Sequence, residues 1–147
     1  MSESEERAAV IAEARGWIGT PYRHMGRAKG PGGGVDCAQL VWAVFHNVGL
    51  TPFLPLEPYS RDFMLHQGIE RYLSIVLDRA REMGEREVQP GDLVLYRMGH
   101  LYAHGAIVDA PGWPRIIHAW YAAGAVIGDS GIAHRLAGRP RKFFSRW

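Results

Sequence analysis

The sequence holds a single cysteine, Cys37, among 147 residues. One thiol cannot close an intramolecular disulfide, so the fold must stand on packing alone. Long apolar runs are missing as well: nothing approaches the roughly 20 residues of a membrane-spanning helix, and membrane insertion is not expected. The first residues, Met1-Ser2-Glu3-Ser4-Glu5-Glu6, are acidic and have no apolar centre, so they do not read as a secretory signal. The expectation is a protein made in the cytoplasm; if it acts outside the membrane, something else must carry it there. Charge of one sign is also scarce. A formal net charge of +2, spread along the chain, lacks the concentrated Lys/Arg patch of a nucleic-acid binder. No repeat and no internal linker stands out, so a single domain over 1–147 is the economical organisation.

Two helices can be placed from local signals. Ser2 or Ser4 can cap a first helix that runs to about Gly16, with Val10, Ala14, Trp17 and Ile18 at helical spacing. A glycine-rich, basic run from Arg27 to Gly34 follows, which suits either a surface connection or a tight backbone approach. Cys37, Leu40, Val41, Val44, Phe45 and Val48 then fall at steps of three and four, with Gly49 closing a second helix. Pro52, Pro55 and Pro58 forbid regular structure next, and a third helical region is expected over roughly 61–83. The rest reads as strands at 93–97, 103–109, 115–120, 125–127 and 142–147. Helices first and an antiparallel sheet second make an α+β domain.

The chemistry gathers at Cys37. Asp36 stands at the N-cap, with Gln39 three residues on in capping-box spacing, so Cys37 occupies the first helical position. Amides there have no intrahelical partner and the helix dipole is positive, which favours a thiolate and offers donors to an oxyanion. A cysteine on an apolar stripe is otherwise an ordinary core residue. A thiolate nucleophile needs a base, usually histidine. His104 and His118 each sit inside an apolar strand pattern. The five-residue link Ala110–Pro114 would pair Asp109 with Arg115, which sets both histidines on one face along a diagonal; an even-length link would have separated them. His104 would then serve as base, with His118 accepting a hydrogen bond from its other ring nitrogen.

Five segments in this order resemble a known family: Gly19-Thr20-Pro21-Tyr22, Val35-Asp36-Cys37-Ala38-Gln39-Leu40-Val41, Pro90-Gly91-Asp92-Leu93-Val94-Leu95-Tyr96, His104-Gly105-Ala106-Ile107-Val108 and Ile117-His118-Ala119. Together they look like the signature of the NlpC-type cell-wall peptidases. The resemblance implies a papain-like fold, a helix-borne Cys packed on an antiparallel sheet that carries the His. It also implies hydrolysis of amide bonds in peptidoglycan stem peptides, commonly between D-γ-glutamate and the diamino acid, without a cofactor. By position, Cys37 matches the nucleophile, His104 the base and His118 the polar third residue. Tyr22 matches a tyrosine lining the site, and Asp36 an acid that contacts substrate in some members. Gln39 departs from the family's usual Gly and could narrow the groove or contact substrate. Pro21-Tyr22-Arg23-His24 with the glycine-rich run resembles a small branch encoded beside the tail genes of bacteriophages and gene transfer agents. That branch implies other tail proteins as partners and incorporation in a phage-like tail particle.

Two other readings compete. His100 and His104 have the spacing of zinc ligands on a helix, with His118 as a possible third. However, Leu101 stands where the zinc peptidase motif needs Glu, and Gly99 and Gly105 oppose a helix. A non-catalytic wall-binding tail module would use Trp113, Trp120 and Tyr121 to stack on its ligand, although such aromatics more often pack a core. A cytoplasmic peptidase that recycles wall fragments is a further alternative.

Overall fold

A computed structural model describes residues 1–56, 74–78 and 80–147. Helix α1 spans Glu3–Gly16 and starts in a reciprocal box: Ser2 Oγ accepts from the Glu5 amide, and the Glu5 carboxylate accepts from the Ser2 amide. Its buried stripe is Arg7, Val10 and Ala14, continued by Trp17. Ile18, expected on that stripe, is 48% exposed. The helix ends at Gly16 and the chain turns, so position 18 no longer obeys the helical period.

The run 27–34 is more ordered than a loop. Strands β1 (Arg27–Ala28) and β2 (Gly34–Val35) pair antiparallel. The glycines serve that hairpin: a Cβ on Gly33 would strike the Ala28 carbonyl, and one on Gly34 would strike the Arg23 side chain. The close approach is therefore chain to chain. Helix α2 spans Cys37–Asn47, and every residue from Cys37 to Phe45 is buried. Such all-round burial marks a central helix, held between α1 and the sheet.

Among the described residues, six strands form one antiparallel sheet in the order β3-β8-β4-β5-β6-β7. Their ranges are Arg81–Met83, Leu93–Met98, Leu101–Val108, Arg115–Trp120, Ala125–Ser130 and Arg141–Ser145 for β3 to β8 in turn. The expected third helix lies largely outside the described residues. Positions 74–77 are helical, but Arg81–Met83 is a strand, paired Arg81↔Ser145 through Met83↔Phe143. Nothing local in Arg-Glu-Met favours a strand; a distant edge recruits it. Strand β7 also runs three residues beyond the expected end at Ile127.

The sheet has two apolar faces. Leu93, Leu95, Ile107, Ile117, Ala119 and Val126 join the helices in one core, while Val94, Tyr96, Ala106, Ile116, Leu136 and Phe143 form a second. Alternation along each strand sorts them. Arg7 locks α1 to the sheet, bonding Asp92 Oδ1 at 2.9 Å, the Pro90 carbonyl at 2.9 Å and Ser145 Oγ at 3.2 Å. Asp92 Oδ2 also accepts from the Gln89 amide. The Pro-Gly-Asp segment is thus a structural latch.

Candidate active site

Asp36 builds the local frame. One oxygen accepts from the Gln39 amide at 2.9 Å, capping α2, and the other from the Met25 amide at 2.8 Å. The Leu40 amide bonds the Asp36 carbonyl, so helical pairing begins there. The amides of Cys37 and Ala38 lie ahead of that pairing and, with the Gly105 amide of β5, donate toward the Cys37 sulfur. The sulfur also lies 3.9 Å from the Ala103 carbonyl oxygen. Strand β5 therefore presents its backbone to the thiol on both sides of His104. It can do so because the β5–β6 ladder pairs only Ile107↔Ile117 and Val108↔Ile116. Beyond those pairs the start of α2 closes on the β5 backbone.

The two histidines meet. His104 Nε2 and His118 Nδ1 are 2.8 Å apart, and both rings are buried. The Asp109 amide bonds the Arg115 carbonyl across the five-residue link, the pairing that sets this parity. Trp120 stacks on His118 at 5.2 Å between centroids and meets His104 edge-on at 5.0 Å, walling the pair from water. Sequence reasoning missed Asp129, whose Oδ2 lies 3.0 Å from His118 Nε2. The register His118↔Ile127 and Ile116↔Asp129 puts this carboxylate diagonal to His118 on the same face. Asp129 stands at strand period two from Ile127, but Gly128 marks a strand end in the sequence and hides that signal.

The protonation state departs from the sequence expectation. Burial pushes the Cys37 thiol up to about 12, and the nearby Asp36 carboxylate pushes the same way; the Gly105, Ala38 and Cys37 amides only partly oppose them. Burial also holds His104 well below its ordinary range, with His118 and Arg139 adding to the effect. His118 is lowered by burial against the pull of Asp129. Burial therefore favours the neutral thiol and the neutral imidazole. The helix dipole, worth about 1 kcal/mol or less in ordinary settings, does not overcome desolvation of a buried thiolate.

The other candidate residues are placed as follows. Gln39 is fully buried, and its amide oxygen accepts from Arg27 Nε at 2.7 Å. The Arg27 guanidinium also lies over Trp42 and bonds the Leu54 carbonyl. Gln39 thus stiffens the start of α2 against the β1–β2 hairpin. Asp36 is fully buried with both oxygens on backbone amides. Tyr22 is half-buried, bridged to Val35, with its ring edge-on to Tyr121 at 5.5 Å. His100 lies at an exposed turn ahead of β5, and His104 lies on that strand, so the two do not share the helix face that a zinc pair would need.

A buried helix-start cysteine held against the strand backbone on both sides of His104, which itself pairs with His118, is the arrangement of a papain-like cysteine peptidase. Residues 19–130 match the model of the NlpC/P60 family, and the chain belongs to that family. No curated protein sequence matches it. Among solved structures it is similar to the peptidoglycan hydrolase RipB of Mycobacterium tuberculosis, at 21% identity and a TM-score of 0.66 over 99% of this chain and 68% of that one. The NlpC/p60 domain of the peptidoglycan hydrolase SagA matches at 21% identity and TM-score 0.62, covering 92% of this chain and 96% of the domain. NlpC1 of Trichomonas vaginalis reaches TM-score 0.68 at 14% identity, covering 99% of this chain but only 45% of its own. At these identities the likeness is one of fold.

Proposed function

We propose that this peptidase hydrolyses amide bonds in peptidoglycan stem peptides, specifically the bond between D-γ-glutamate and the diamino acid. The observation that carries the chemistry is the 2.8 Å His104–His118 contact on the strand whose backbone cradles the Cys37 sulfur. Family membership and the likeness to RipB and SagA support the substrate.

His104 is engaged through Nε2, so Nδ1 is the nitrogen that exchanges a proton with the thiol. Because both partners rest neutral, the proton moves as the sulfur attacks the carbonyl. The carbonyl oxygen gains charge where the Cys37 and Ala38 amides point. His104 then protonates the departing amine, leaving a thioester. Water, deprotonated by His104, releases the acid and restores the thiol. The experiment is digestion of purified sacculi with wild type and Cys37→Ala, followed by mass spectrometry of muropeptides. Free diamino-acid amines released by wild type alone support the reading; equal absence from both supports a wall-binding module.

The setting proposed for this activity is a phage-like tail, where the enzyme opens the recipient wall during DNA entry beside other tail proteins. Its support is the resemblance of Pro21-Tyr22-Arg23-His24 and the glycine-rich run to the tail-associated branch. Gradient fractionation of induced particles tests it. The chain should sediment with tails; recovery only among free cytosolic proteins would favour fragment recycling.

A further inference from the structure

We infer that Asp129 is a positioning residue that sets the tautomers of both histidines, so that the neutral His104 keeps its Nδ1 bare and able to act as base. The inference deepens the proposed hydrolytic reading and rests on it. Asp129 Oδ2 lies 3.0 Å from His118 Nε2. A carboxylate accepts and cannot donate, so the neutral His118 carries its proton on Nε2 and leaves Nδ1 as an acceptor. The 2.8 Å contact between His118 Nδ1 and His104 Nε2 then has only one donor, His104 Nε2–H. A neutral imidazole with its proton on Nε2 has its lone pair on Nδ1. One acceptor at the end of the relay therefore dictates which nitrogen acts as base two rings away.

The other carboxylate oxygen makes this arrangement testable. Asp129 Oδ1 accepts from the Ser130 amide at 2.8 Å. In Asp129→Asn, that amide selects the side-chain oxygen for the Oδ1 position and turns the NH2 toward His118. A donor there reverses the relay: His118 becomes protonated on Nδ1, and His104 must accept at Nε2 and carry its proton on Nδ1. The base is then blocked although shape and volume are unchanged. Asp129→Ala removes the acceptor without installing a donor, so both tautomers stay accessible.

The test combines steady-state cleavage of an Ala-γ-Glu-diaminopimelate stem peptide with 15N NMR of the histidine rings. The expected result is a kcat for Asp129→Asn at least about 100-fold below wild type, the scale of a general-base contribution, with KM nearly unchanged. Asp129→Ala should lose less. The His118 spectrum should show Nε2–H in wild type and Nδ1–H in Asp129→Asn. A purely structural role predicts the reverse order, with the isosteric Asn milder than Ala; that order, or an unchanged His118 tautomer in the Asn variant, overturns the inference. The NMR arm needs no substrate, so it judges the relay even if wild type fails to cleave the peptide and the hydrolytic reading falls.

Discussion

The Cys37 sulfur lies 3.9 Å from the carbonyl oxygen of Ala103, the residue just before His104. A thiol oriented to that oxygen is a proton donor. The contact agrees with the direction in which burial and Asp36 drive the group, up to about 12. Burial and Asp36 thus both favour the protonated form of the nucleophile.

Alkylation kinetics should expose that protonated state. Between pH 7 and 10 the iodoacetamide rate at Cys37 should climb about tenfold per pH unit without levelling, because the thiolate fraction rises tenfold per unit below the thiol's pKa. Mass spectrometry of the tryptic peptide reports the rate. A plateau already reached by pH 7 would mean a preformed thiolate and would remove the neutral-pair mechanism.

Asp36 raises the Cys37 pKa while it caps α2 and anchors Met25. Asp36→Asn removes the charge, so alkylation at pH 8 should accelerate. The variant also sets an amide NH2 against one of two backbone donors, a loss of about 1–3 kcal/mol for the buried group left unpaired. Chemical denaturation beside the alkylation assay separates the effects. Slower alkylation in a folded variant would contradict the electrostatic assignment.

Stability should fall on both sides of a plateau. His104 is lowered from 6.5, so acidification adds protons to the unfolded chain first and stability drops as pH falls below about 6.5. Cys37 is raised from 9.0 to about 12, so the unfolded chain loses its proton first and stability drops as pH climbs above about 9. Scanning calorimetry across pH should show both arms. Cys37→Ala should flatten the alkaline arm between about pH 9 and 10, below the range where the Tyr96 phenol, also raised by burial, contributes, and leave the acid arm in place; an unchanged slope there would refute the buried-thiol account.

Arg7 holds Asp92 in a buried ion pair far from the chemistry. Arg7→Met leaves that carboxylate uncompensated and should cost about 3 kcal/mol, the usual penalty for breaking such a pair from one side. Urea denaturation measures it, and specific activity per folded molecule should hold. A loss under about 1 kcal/mol would show that water replaces the guanidinium.

Local interactions decided much of this protein within the sequence itself. Ser2 and Asp36 are caps because their side chains reach amides within a turn. The spacing from Cys37 to Phe45 made a buried helix. A five-residue link, by parity alone, placed His104 and His118 on one face. Each of these depends on neighbours in sequence, and a period or an offset records them.

The tertiary structure decided what depends on distant atoms. Arg81–Met83 is a strand because the edge of β8 lies beside it, and Asp129 reaches His118 because β7 runs on along β6. Arg27 claims the amide of Gln39 across the hairpin. The largest reversal concerns the thiol. A helix start predicts a thiolate, since the dipole belongs to α2 itself; the depth at which Cys37 is buried belongs to the whole fold, and desolvation outweighs the dipole.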